Sequence, residues 1–179
     1  NCLVVDEAHN VESELSKFIE IHASERFCKS ILNIPWPRNV STQYQAFGWI
    51  RNEYYPKVKS KLLFFENSLE KSGLKSRLKE FEKVSRQYDL LKGHVSKIKK
   101  FLEIYDSKNW VFELVPSQNR SMRKFVFKPI DISSFAKEHL FRLGNTVIMM
   151  SATILDHETF CSSLGISSKD VAFISLPSP

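Results

Sequence analysis

Two short apolar runs frame the chain, Leu3-Val4-Val5 near its start and Thr146-Val147-Ile148-Met149-Met150 near its end. Both are continuous rather than alternating, the pattern of a parallel strand buried on both faces, and both give way to polar residues. After the first, Val11, Leu15, Phe18 and Ile21, continued through Phe27 and Ile31, recur at helical spacing. Asn10 is placed as the N-cap of that helix, and Glu12 and Glu14 suit the positive end of its dipole. Pro35-Trp36-Pro37 then predicts a linker. Residues 41–55 carry Tyr44, Phe47, Trp49, Tyr54 and Tyr55 at no clean period. Such a cluster could stack unpaired bases, but the area that large aromatics bury favours the core of an inserted domain.

Residues 57–69 predict a helix with Val58, Leu62, Phe65 and Leu69 on one face. Ser72-Gly73 breaks it, and a second helix runs from about 74 to 105, its apolar positions from Leu74 to Leu102 spaced by about 3.5 residues, as in a coiled-coil seam. The two should fold back as an antiparallel hairpin, the longer arm reaching about 45 Å. Gly93 weakens that arm by up to about 1 kcal/mol. Residues 110–115 and 124–128 read as strands. A short helix over 134–141 follows, with Ser133 as its cap, then a helix over 156–164 stopped by Gly165, a last strand over 171–174, and a linker at Leu176-Pro177-Ser178-Pro179.

Composition adds three constraints. With 42% hydrophobic and 26% charged residues among 179, the chain is ordinary for a globular protein, and no apolar run approaches the roughly 20 residues of a membrane span. Cys2, Cys28 and Cys161 are too few and scattered for a disulfide framework or a local metal site, which points to a reducing, intracellular setting. A chain opening on a strand without methionine is expected to be a piece of a longer protein. The net charge is +6, yet residues 57–108 alone hold 14 Lys/Arg against 7 Asp/Glu. The excess of positive charge therefore sits in the middle of the chain, where it suits phosphate contacts or a solvated helix face.

Chemistry concentrates at the ends of the two apolar runs. Set side by side in one parallel sheet, strands 3–5 and 146–150 would bring Asp6 and Glu7 close to Ser151 and Thr153 at the carboxyl edge, where open α/β sheets bind ligands. An acid there helps hold Mg²⁺ on the phosphates of a nucleotide, the part Asp6 fits. Glu7 fits a base that orients or deprotonates water, and His9 a relay to a neighbouring element. The gap between the runs is far too long for a loop, so it must contain a domain of its own.

Val4-Val5-Asp6-Glu7-Ala8-His9-Asn10 resembles motif II of the DEAH-box superfamily 2 helicases, and Met150-Ser151-Ala152-Thr153-Ile154-Leu155 resembles their motif III. The asparagine after the histidine, the long gap between the motifs and Leu176-Pro177-Ser178-Pro179 look most like the XPD/DinG-like DNA helicases. The resemblance implies an α/β fold: part of a RecA-like parallel sheet over residues 1–34 and 129–179, with a large, mainly helical arch insertion over 35–128. It implies ATP and Mg²⁺ as cofactors, Asp6 as the metal ligand, and Asp6, Glu7, His9, Ser151 and Thr153 as catalytic and coupling residues. It further implies a monomer in the cytoplasm or nucleus that acts on single-stranded DNA in repair, and a protein partner on the arch. Basic side chains placed to meet DNA are Lys75, Arg77, Lys79, Lys97, Lys99 and Lys100 on the long helix, and Arg120 and Arg123 at the hairpin tip. An iron-sulfur cluster occurs in some relatives, with ligands that precede motif II. The sequence has no G-x-x-x-x-G-K-[ST] loop to cradle phosphates, so these residues alone are expected to be inactive.

Two other readings remain open on sequence. A non-enzymatic module could use the basic hairpin to dock a protein, in which case binding would be insensitive to salt rather than falling steeply with it. A coiled-coil dimer would associate with rising concentration.

Overall fold

The computed structural model describes residues 1–71, 78–116, 123–154 and 156–176. In chain order the main elements are β1 (Cys2–Val5), α1 (Val11–Ile19), β2 (Ile21–Ser24), α2 (Gln43–Trp49), α3 (Tyr55–Lys71), α4 (Leu78–Ile104), β3 (Trp110–Val115), β4 (Lys124–Pro129), α5 (Ser133–His139), β5 (Thr146–Met149) and α6 (His157–Ser163). The protein is α/β, and it divides into two units: Asn1–Glu20 with Lys128–Pro179, and Ile21–Phe127. Among the described residues no helix is long and apolar enough to cross a membrane.

In the first unit β1 and β5 pair in parallel, Cys2 opposite Thr146 through Val5 opposite Met149, as the two apolar runs predict. Met150 N–H donates to Val5 O and Ala8 N–H to Met150 O, both at 2.9 Å, extending the ladder past the strand ends. The strands are not buried on both faces, which corrects the sequence expectation. Leu3, Val5, Val147 and Met149 are half-buried, whereas Val4 and Ile148 are 56% and 46% exposed. Among the described residues this sheet has two strands, and the face that carries Val4 and Ile148 is exposed.

Helix α1 buries Val11 and Ile19 and carries Glu12 and Glu14 in its first turn. Asn10 occupies the N-cap position but its side chain makes no cap bond. Ser133 is the first residue of α5 rather than its cap; the Asp131 carboxylate accepts from Ser133 N at 2.8 Å and from Ser133 Oγ at 3.0 Å. Phe18 of α1 meets His139 of α5 edge-on at 5.3 Å. Gly165 ends α6 as predicted, with φ +67, and a Cβ there would lie 2.7 Å from the Ser133 Cβ. Both the backbone conformation and the close approach require glycine. Residues 171–174, expected as a strand, take no regular structure, and the Phe173 ring stacks on His157 at 4.7 Å.

The second unit begins at Ile21, earlier than the boundary after residue 34 drawn from sequence. The helix expected through Ile31 is interrupted: it stops at Ile19, Ile21–Ser24 forms a strand antiparallel to β4, Ile21 opposite Phe127 and Ser24 opposite Lys124, and residues 25–32, with Phe27 and Ile31, are helical again. Ile21 and Ala23 are buried while His22 is exposed, a period of two that overrides the helical reading once β4 supplies a partner. Strand order is β2-β4-β3.

A long helical hairpin packs on this sheet. Its first arm opens at Thr42, whose hydroxyl accepts from Gln45 N while the Gln45 side chain accepts from Thr42 N, a reciprocal capping box. The arm runs through α2, one wide turn at Ile50–Tyr54, and α3. In that turn Tyr55 N–H reaches back five residues to Ile50 O, the π-type bond that shifts the helical phase. This is why the aromatics of 41–55 keep no clean period. The second arm, α4, has 27 residues and spans about 40 Å. The arms are antiparallel, as predicted: Phe47 meets Phe101, Tyr54 meets His94, and Tyr88 Oη donates to Glu66 Oε1 at 3.4 Å. The expected break at Ser72-Gly73 and the turn between β3 and β4 lie outside the described residues.

The core of this unit is aromatic. Phe101 has Trp110 at 4.8 Å, Phe127 at 5.1 Å and Tyr105 at 5.4 Å between ring centroids. Trp36, read as part of a linker, is buried against Phe125 at 4.5 Å and Trp49 at 5.5 Å. Trp49 and Tyr54 are buried, so these members of the 41–55 cluster serve as core; Tyr44 is 85% exposed.

Beneath this core Glu25 is a buried acid. Its carboxylate accepts from Arg123 Nε at 3.0 Å and lies 2.7 Å from Lys29 Nζ, and its N–H donates to Arg123 O at 2.8 Å. Arg123 and then Lys29 hold the Glu25 carboxyl down to about 2 from its ordinary 4.5. Both cations are partly solvated, which screens the attraction. Glu25→Gln is therefore expected to cost about 2 kcal/mol near neutral pH, below the figure for fully buried pairs. Because the folded carboxyl is the stronger acid, this contribution is complete above the ordinary value of about 4.5 and fades as pH falls toward about 2. Denaturation midpoints of the two proteins should converge over that window; a gap that stays constant with pH would contradict the assignment.

Candidate functional site

The parallel pairing of β1 with β5 sets two polar turns side by side. Asp6 and Glu7 leave the end of β1, and Glu7 adopts φ 51, ψ 43, the left-handed region that a non-glycine residue enters at a cost of order 1 kcal/mol. Two hydrogen bonds hold it there: Glu7 N–H donates to Asp6 Oδ1 at 2.8 Å, and Asn10 N–H donates to Glu7 O at 2.9 Å. Ala8, fully buried, is tied to Met150 O on β5. The strained residue is thus braced on both sides, and its carboxylate is presented to solvent at the sheet edge.

From Glu7 a chain of polar contacts crosses to the second strand. His9 Nδ1 lies 3.3 Å from Glu7 Oε2 and 2.9 Å from Ser151 Oγ, a contact between residues 142 apart in sequence. Ser151 Oγ lies 3.3 Å from Thr153 Oγ1 and accepts from Thr153 N at 3.2 Å. The fold therefore brings together Glu7, His9, Ser151 and Thr153, with Asp6 joined to them through the Glu7 amide. Leu155, the last residue of the second motif string, lies outside the described residues.

A single exposed carboxylate such as Asp6 fits Mg²⁺, which keeps much of its water and takes one or two protein carboxylates beside substrate phosphates. Among the described residues no group of three or more His, Cys, Asp or Glu could hold a metal by itself. Water or a bound substrate would have to supply the remaining ligands.

The basic residues singled out from sequence lie in the second unit. Lys97, Lys99 and Lys100 are on α4, where Lys99 Nζ lies 3.8 Å from Glu103 Oε1. Arg123, immediately before β4, is partly exposed and ion-paired with Glu25. Lys75, Arg77 and Arg120, with the Lys79 side chain, lie outside the described residues. Sequence reasoning missed Glu25 and its partners, and also the pair of Tyr54 Oη with His94 Nε2 at 2.9 Å. Burial holds His94 down at about 4 and pushes the Tyr54 hydroxyl well above its ordinary range, so both are neutral near neutral pH. Glu25–Arg123 and Tyr54–His94 carry no local signal, because each joins residues far apart in the chain; only Glu25–Lys29 is local, at i,i+4.

No family model matches the sequence, and no curated protein matches it.

Proposed function

We propose that the chain carries motif II, an arch insertion and motif III of an ATP-dependent DNA helicase of the XPD/DinG-like kind, working in DNA repair. The observation that carries the reading is the His9–Ser151 contact at 2.9 Å, which links the end of one apolar strand to the end of the other. In this reading β1 and β5 are neighbouring strands of a RecA-like sheet, and the inserted helical unit is the arch. Mg²⁺ held at Asp6 would offset charge on the β- and γ-phosphates. Glu7 positions the attacking water and takes its proton, its carboxylate held in place by the braced backbone. His9, poised between Glu7 Oε2 and Ser151 Oγ, passes a change at the γ-phosphate to Ser151 and Thr153, and so to the segment that follows β5. The cationic residues of 57–108 supply phosphate contacts to single-stranded DNA, which would make binding salt-dependent.

Ser151→Ala tests the coupling step in a protein that includes the phosphate loop. Basal ATP hydrolysis should persist, while its stimulation by single-stranded DNA falls about tenfold or more; His9→Ala should behave alike, and the double variant should be no worse than either single one. Full stimulation in both single variants would overturn the relay.

A further inference from the structure

The second unit contains a cleft of about 600 Å³ between the helical hairpin and the β2–β4 edge, within the range of small-molecule sites. Its apolar lining includes Phe27, Ile31, Phe65 and Leu91, with Leu90 75% exposed. The rings are ordered against one another: Phe27 stands edge-on to His94 at 5.6 Å and lies 6.3 Å from Tyr54. Tyr54 and His94 satisfy each other and, both neutral, add no charge. Among the described residues no buried side-chain polar atom is left without a partner, so nothing in the apolar part asks for a polar ligand group.

The charge of the cleft is one-sided. Among the described residues its lining includes Lys124 and no aspartate or glutamate; the nearby acid Glu25 is taken up by Arg123 and Lys29. Lys124 sits directly opposite Ser24 across the β2–β4 ladder. Ser24 Oγ accepts from Phe27 N at 3.2 Å, which leaves its own O–H to donate. An ammonium group and a hydroxyl donor side by side at the edge of an apolar cleft match a carboxylate or sulfonate.

We propose that this cleft binds a small organic monoanion, its apolar body against Phe27, Phe65 and Leu91 and its acidic head at Lys124 and Ser24. The site lies wholly within the second unit and goes beyond the motor reading, since it holds whatever the first unit does. Calorimetric titration of the whole chain with 2-naphthoate and with octanoate tests it and separates aryl from acyl ligands. Saturable one-to-one binding of at least one is expected. Lys124→Ala should weaken that binding about tenfold, as loss of one charge-assisted contact would, and 2-naphthamide, the neutral counterpart, should bind about tenfold more weakly than 2-naphthoate. Leu90→Trp crowds the cleft from an exposed position without disturbing the core, and should abolish binding with the unfolding transition unchanged. Absence of saturable binding of both acids, or affinity indifferent to Lys124→Ala and Leu90→Trp in folded variants, would overturn the proposal.

Discussion

Under the motor reading, Glu7→Gln, made in a protein that includes the phosphate loop, is expected to lower ATP turnover by at least about 100-fold and to leave nucleotide affinity within a few fold. A positioned general base contributes roughly 10²–10⁴ to rate, and glutamine removes its basicity while keeping its shape. The substitution is conservative for the backbone as well. The left-handed turn at Glu7 is fixed by the Asp6 and Asn10 hydrogen bonds, which use main-chain atoms of residue 7, so the variant folds with the same geometry. A loss confined to turnover identifies an interaction made in the transition state. Steady-state hydrolysis together with nucleotide binding checks this, and ordinary turnover in Glu7→Gln would remove Glu7 from the chemistry.

Phe101→Ala destabilises the second unit by about 3–5 kcal/mol, the cost of emptying a large aromatic site that cannot collapse. Phe101 is 1% exposed and contacts Phe47 of α2, Tyr105 just past the end of α4, Trp110 of β3 and Phe127 of β4. No single neighbour can move in without breaking the register of another element. All three tryptophans, Trp36, Trp49 and Trp110, belong to this unit, so intrinsic fluorescence during urea unfolding follows it selectively. A drop below about 1 kcal/mol would mean that the aromatic cluster is not the centre of the core.

Where the fold was legible, the signal was long or repeated. The two apolar runs announced a parallel pair, and the spacing over 57–105 announced an antiparallel hairpin; both depend on hydrophobic pattern alone. Where it was not legible, a tertiary partner decided. Ile21–Ser24 fits a helix by its apolar spacing until β4 offers a ladder, and residues 171–174 have a strand's composition but no ladder partner among the described residues. Trp36 looked like linker because prolines flank it, yet its ring area is worth burying against Trp49 and Phe125. The π-type turn at Ile50–Tyr54 erased the period that would have marked 43–71 as one continuous arm.

The site divides in the same way. The juxtaposition of Asp6, Glu7, His9, Ser151 and Thr153 was readable because each lies just past the end of an apolar run, and the parallel register brings those ends together. The left-handed turn at Glu7 was not readable, since no glycine or asparagine marks it. The partner of Arg123 was not readable either: an arginine near a polar turn is usually solvated, and only the fold sets the Glu25 carboxylate against it.

The most direct measurement of the motor reading is strand displacement from a single-strand-tailed duplex by the protein that contains this chain, with and without ATP, for wild type and Glu7→Gln. The account predicts displacement that requires ATP and is lost in the variant. Displacement that proceeds without ATP, or ATP hydrolysis that never separates the strands, would contradict it.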